Sequence, residues 1–229
     1  MGNRFGNAYG LTVLIPIKNG AENNRAYDKI IRDKLQEWPL DEKSPMSKVP
    51  NTYLSRVFLL NDVFYEGAPA IEEHLNNKYL VFSSNFHGEL DDYLTGMWKA
   101  IGDLLEGFLE HCVAFDTVKS AADFVNYIKR CQIKTSLFFN GSSDKPLAEQ
   151  LKALYVKQAF IHFAYLSQRY RYEGDEGARK LLAAFRRFTE LIRIDDSSEP
   201  TWEVGITVVD PEIEKNVKSI FDDAGGAEK

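Results

Sequence analysis

The chain is poor in residues that build a reactive centre on their own. It has 2 cysteines, and its 4 histidines stand far apart at positions 74, 87, 111 and 162. No Cys-x-x-Cys and no His-Glu-x-x-His occurs, so no metal ligand is assigned. Gly-x-Ser-x-Gly, a Walker loop and Gly-x-Gly-x-x-Gly are missing too, which removes the usual entry points to hydrolase, nucleotide and dinucleotide chemistry. No apolar run approaches the roughly 18 residues of a spanning helix, so no integral membrane association is expected. The opening MGNRFGNAYG lacks the apolar core of a signal peptide. Cys112 and Cys131 each complete the apolar stripe of a predicted helix. They read as reduced core thiols of a cytoplasmic protein, with one buried bridge as the alternative. A net charge of −6 supplies no basic field, which argues against a nucleic-acid partner.

What the chain does have is a long patterned stretch from Lys78 to Cys112. It reads as a strand (Tyr79 to Phe82), a polar turn (Ser83 to Gly88) and an amphipathic helix. Leu90, Tyr93, Leu94, Met97, Trp98, Ile101, Leu104, Leu105, Phe108, Leu109 and Cys112 recur every three or four residues and form one broad apolar face. So wide a face must lie on something large, and the nearest candidate is the sheet to which the preceding strand belongs. Residues 11–18 and 53–60 supply two more strands, and a helix ending at Trp38 lies between them. The order to Cys112 is β-α-β-β-α, a ferredoxin-like sheet with helices on one face that still lacks its final strand. Residues 113–115 or 134–139 are candidates for that place.

Beyond a helix over 120–131, the pattern turns helical. Pro146 opens a helix reaching about Tyr170. Leu147, Leu151, Leu154, Gln158, Ile161 and Tyr165 mark one of its stripes; Val156, Phe160 and Phe163 lie nearly opposite. A following helix with Ala178, Leu181, Leu182, Phe185, Phe188 and Ile192 inward makes a hairpin with it. WEVGITVV (202–209) reads as a late strand, PEIEKNVKSIFDD as a short helix and GGAEK (225–229) as a frayed tail. The fold class is therefore α+β. Residues 1–145 form the ferredoxin-like domain, and 146–229 a helical hairpin with terminal strand and helix packed on the same domain.

Few residues point to chemistry. Arg56 sits mid-strand, with Leu54, Phe58 and Leu60 on its face by the two-residue period. If buried, its guanidinium needs a partner, either Asp91, Asp92 or another acid structurally, or an anionic ligand functionally. His87, in the turn before the long helix, is the candidate proton carrier and Asn85 a ligand contact; both also suit helix capping. His162, beside Leu151, Tyr155 and Leu166, invites haem ligation but is equally a hydrogen-bonded core histidine. His111 suits a helix C-terminus.

The segments SPMSKVPNTYLSRVFLL (44–60) and YLVFSSNFHGELDDYL (79–94) resemble an uncharacterised bacterial family of ferredoxin-like or dimeric α+β-barrel character. Ser44, Pro45, Pro50, Thr52, Arg56, Ser84, Asn85, Phe86 and Gly88 match that family's pattern. Tyr53 stands where the family has His, and His87 where it has Asp. The uncovered sheet face must be closed by the C-terminal segments or by another subunit, as in a dimeric barrel, so a homodimer is expected; the wider fold resembles dye-decolorising peroxidases and small monooxygenases. The peroxidase Gly-x-x-Asp-Gly motif is missing, which disfavours haem and leaves the cofactor unassigned. The leading functional expectation is a small-molecule site between sheet and cover. Arg56, Asn85 and Tyr53 would bind an anionic or aromatic ligand there, and His87 would be catalytic if the protein is an oxidoreductase. The alternative is a non-catalytic binding or assembly module using exposed helix faces at Val156, Phe160 and Phe163. An open space reaching Arg56 favours the first expectation, and a space filled by side chains the second.

Overall fold

Short β1 (Arg4–Phe5) turns through Gly6, whose φ of +58° suits glycine, into β2 (Ala8–Pro16). The structure is a computed structural model that describes residues 2–206, 208 and 210–222. After β2 a two-residue ribbon, β3 (Ala21–Glu22) and β4 (Arg25–Ala26), turns on Asn23 and Asn24. Both have positive φ, as a tight hairpin demands. This ribbon delays helix α1, which spans Tyr27–Gln36. Then follow β5 (Thr52–Leu60), β6 (Tyr79–His87), α2 (Leu90–Leu109) and α3 (Ala121–Cys131). Last come α4 (Leu147–Ser167), α5 (Gly174–Ile192) and α6 (Pro211–Asp222), so the described residues make a mixed α/β protein with six α-helices. No described helix is long and apolar enough to cross a membrane. The chain divides into two compact units, Met1–Leu147 and Ala148–Lys229.

In the first unit four strands form an antiparallel sheet in the order β1-β2-β6-β5. Alternation fixes its two faces. Leu11, Val13, Ile15, Leu80, Phe82, Ser84 and Phe86 are buried on one side, where the core also takes in Leu94, Met97, Ile101 and Leu105 of α2 and Phe124 and Ile128 of α3. The long rod thus blankets the sheet as its pattern requires. It kinks at Ile101, where φ of −141° leaves helical space, and it ends at Leu109. A cavity of about 30 Å³, walled by apolar side chains of Ile15, Val57, Leu80, Phe82, Met97 and Phe108, remains inside.

Several sequence expectations need correction. Ser83 to His87 is not a turn but the second half of β6, because each residue keeps a ladder partner on β2. The α2 N-cap is Glu89, with no side-chain cap bond, so neither Asn85 nor His87 caps it. The free edge of β2 is not filled by a full strand. Isolated bridges from Gln132 to Val13 and from Cys112 to Ile17 share that place. Residues 134–139 are laid across the sheet rather than into it: Thr135 bonds the Asn3 side chain, and the Phe138 ring lies against Gly10. Trp202–Ile206 is not a strand either. Gly205 at φ +85° and a 2.9 Å bond from Trp202 Nε1 to the Ile206 carbonyl close it into a turn. The rest of that proposed strand includes positions 207 and 209, and the 225–229 tail also lies outside the described residues.

In the second unit, Tyr155, Ala159 and Phe163 of α4 meet Ala184, Phe188 and Ile192 of α5 and Ile213, Val217, Ile220 and Phe221 of α6. The α4 core stripe therefore runs between the two stripes read from sequence. Phe163 is buried at 4 % exposure and is no contact residue, whereas Phe160, Leu154, Ile161 and Tyr165 are exposed.

Candidate functional site

The four candidate residues lie on or beside the sheet face turned away from the helices. Arg56 pairs with Ser83 across the β5–β6 ladder, and Leu54 pairs with Asn85. Ser83, Asn85 and His87 alternate along β6, so all three share the outward face with Leu54, Arg56 and Phe58. Tyr53 falls at the register shift between Thr52 and Leu54, an irregularity that re-aims a side chain at the end of the strand.

Arg56 is exposed, not buried. The reason is the strand's parity: Val57 and Leu59 turn to the core, so Arg56 must turn to solvent. Both sequence readings of a buried guanidinium lose their premise. Asp91 instead pairs with Lys129 at 2.5 Å. Arg56 makes no ion pair or hydrogen bond with the described residues. Its immediate neighbours along the strand face, Leu54 and Phe58, are 53 % and 49 % exposed. Elsewhere the outward face is closed, since Phe138 lies on Gly10 and Val81 is only 6 % exposed. The open part is a strip along β5.

His87 and Tyr53 are both engaged with the segment that precedes α4. His87 Nδ1 lies 2.9 Å from the Asp144 carbonyl and donates to it. The Tyr53 hydroxyl donates to the Lys145 carbonyl at 2.6 Å, and Asp144 accepts from the Asn7 amide. These contacts are positional. They pin residues 144–145 to the end of the sheet, and no acid–base pair is formed between Arg56, Asn85, Tyr53 and His87 in the described structure.

Sequence reading missed the polar residues behind this face. Ser84 is buried, and the Tyr93 hydroxyl lies 2.7 Å from its Oγ; Thr52 donates to Tyr93 at 3.2 Å, and Ser84 donates to the Leu54 carbonyl. Burial, more than these bonds relieve, pushes the Tyr93 phenol up. Continuing the strand past Phe82 at period two would have placed Ser84 among Leu80, Phe82 and Phe86, where a hydroxyl demands a partner. The cysteines offer no reactive alternative. Both are free thiols, and burial, with Cys131 nearby, pushes Cys112 up to about 12. No group of three or more metal-ligating side chains is found among the described residues.

A second polar cluster closes the neck of the loop from Asn61 to Lys78. Asp62 accepts from the Val63 and Leu75 amides and lies 2.8 Å from His74 Nδ1. The Leu75 amide, then His74, hold the Asp62 carboxyl down at about 2, and Asp62 in turn raises His74. The carboxylate's contribution is complete above the ordinary Asp range near 4 and is lost as pH falls through about 2. That of His74 is complete below about 6.5 and is lost as pH rises through its raised value. Protection of the Leu75 amide from hydrogen exchange is therefore expected to be greatest between about pH 4 and 6.5. Asp62→Asn should flatten that profile; an unchanged profile would refute the clasp.

Comparison with known proteins yields no matching family model, no curated protein and no solved structure of significant similarity.

Proposed function

We propose that the protein is a non-catalytic binding module that takes up a small anionic, aromatic molecule on the open strip of its sheet. The observation that carries this reading is Arg56, exposed and without a partner among the described residues, between the exposed side chains of Leu54 and Phe58. A carboxylate accepts the guanidinium fork, and an aromatic body lies along Phe58 and Leu54. Asn85, opposite Leu54 in the ladder, adds a hydrogen-bonding group. Two observations weigh against an oxidoreductase turning over an enclosed substrate. The cavity seen between sheet and helices holds only about 30 Å³, is apolar and lies on the face opposite to Arg56. His87 and Tyr53 are spent on backbone carbonyls.

The strand order, with a bridge from Gln132 on the far side of β2, supports a ferredoxin-like topology for the first unit. Two free cysteines support a reducing, cytoplasmic setting.

The test is Arg56→Leu with a panel of benzoate derivatives, read by thermal shift and calorimetry. Losing a charge-assisted bond of about 1.5–3 kcal/mol weakens binding by roughly tenfold or more, while unfolding stability stays within about 0.5 kcal/mol because the site is exposed. A wild-type protein that binds none of the panel, or an Arg56→Leu protein that loses stability instead of affinity, defeats the proposal.

A further inference from the structure

We infer that a second copy of this chain pairs with the first along the open edge of β5, antiparallel and centred on Val57. This interface uses the same strand as the ligand reading but is measured without ligand, so either can fail alone.

β5 is the last strand of the sheet. Along a strand, the N–H and C=O of successive residues turn to opposite sides. The Leu54 carbonyl faces β6, where it accepts from Ser84 Oγ at 3.2 Å. The alternation from there points Leu54, Arg56 and Phe58 at β6, and points the backbone groups of Ser55, Val57 and Leu59 at the empty edge. The β2–β6 ladder agrees. The Ile17 amide donates to the Lys78 carbonyl, so the even residues of β6 serve β2 and the odd ones, opposite Leu54, Arg56 and Phe58, serve β5. No described hydrogen bond reaches the outer edge at Ser55, Val57 or Leu59. A nine-residue strand with such an edge, flanked by exposed Leu54 and Phe58, is a template for another strand.

The sheet faces cannot meet squarely instead, because Phe138 already lies on Gly10 and Val81 is buried. Side chains select the edge register. Centring the two-fold on Arg56 sets Arg56 directly against the partner's Arg56, which like charges disfavour. Moving the centre one residue keeps the same backbone groups facing outward. Val57 then meets the partner's Val57, Leu54 meets the partner's Leu60, and Arg56 meets the partner's Phe58. That last contact offers the guanidinium an aromatic face, where its own chain supplies no carboxylate between Thr52 and Leu60. A second copy therefore returns apolar for apolar and ring for cation, which makes it the occupant the strand fits.

Sedimentation of the full ligand-free chain from about 1 to 500 μM should show a monomer–dimer equilibrium. Phe58→Lys, placing a second cation against the partner's Arg56, should weaken it by about tenfold or more. Phe58→Glu should leave it intact or tighter, because a carboxylate then meets that arginine. Phe58 is half-exposed in the single chain, so at concentrations where the wild type is monomeric both variants should unfold at its temperature. Amides of Ser55, Val57 and Leu59 should exchange slowly in the dimer and fast on dilution. A monomer at every concentration, equal weakening by Lys and Glu, or fast exchange of those amides in a dimer overturns the assignment.

Discussion

Phe86→Ala should lower the stability of the protein by about 3–5 kcal/mol, the cost of removing a fully buried ring and leaving a cavity. Phe86 is 0 % exposed on the core face of β6. Its ring stacks on Tyr93 with centroids 3.7 Å apart and 5° between planes, and on Tyr9 at 5.2 Å. Tyr93 is held in turn by Ser84 and Thr52. Losing the central ring frees both neighbours and loosens the hydroxyl chain, so the effect should sit at the upper end of that range. The control is Leu54→Ala, one ladder position away but on the outward face; at 53 % exposure it should change stability by no more than about 0.5 kcal/mol. Urea unfolding of the two variants gives the comparison, with the shift expected in the midpoint rather than in the slope. Equal losses would mean that the two faces of β6 and β5 have been assigned the wrong way round.

That contrast also marks what the residues disclosed. The α2 stripe called for a broad cover, and the structure supplies it for all of the stripe but Leu104, which stays 47 % exposed. The strands over β5 and the first half of β6 were legible, but not which of their faces the core takes. What misled the reading was polarity. Ser83 to His87 look like a turn because Ser and Asn favour turns, yet paired strands on both sides outweigh that local preference. The apolar strand neighbours of Arg56 suggest burial. In fact the helices cover the opposite parity, and nothing in Leu-Ser-Arg-Val-Phe says which parity they choose. The α4 core stripe was misread for a related reason. Lys152 lies buried among Tyr155, Ala159 and Phe163, and a stripe built on apolar residues passes over it. Lys152 reaches that place by donating to the Ser198 and Pro200 carbonyls, bonds between residues far apart in sequence.

The second large effect is expected at Phe188→Ala. Phe188, at 1 % exposure, is the ring against which the aromatic cluster of the second unit assembles: Phe163 lies 4.8 Å away, Phe160 6.1 Å and Phe185 6.2 Å. Phe163 continues to Phe221 of α6 at 5.4 Å, so one truncation touches the packing of all three helices. The direct cost is again about 3–5 kcal/mol. The consequence should be larger than at Phe86, because this unit buries far fewer apolar side chains among its described residues than the first. A small core leaves a small margin, and a loss of that size is comparable to the whole stability of many domains. Amide exchange resolved by residue should show α4, α5 and α6 losing protection while β2 and β6 keep theirs, since the sheet draws on a separate cluster of side chains. If instead every amide lost protection together, the two clusters would be one cooperative structure, and the second unit would owe its helices to the first.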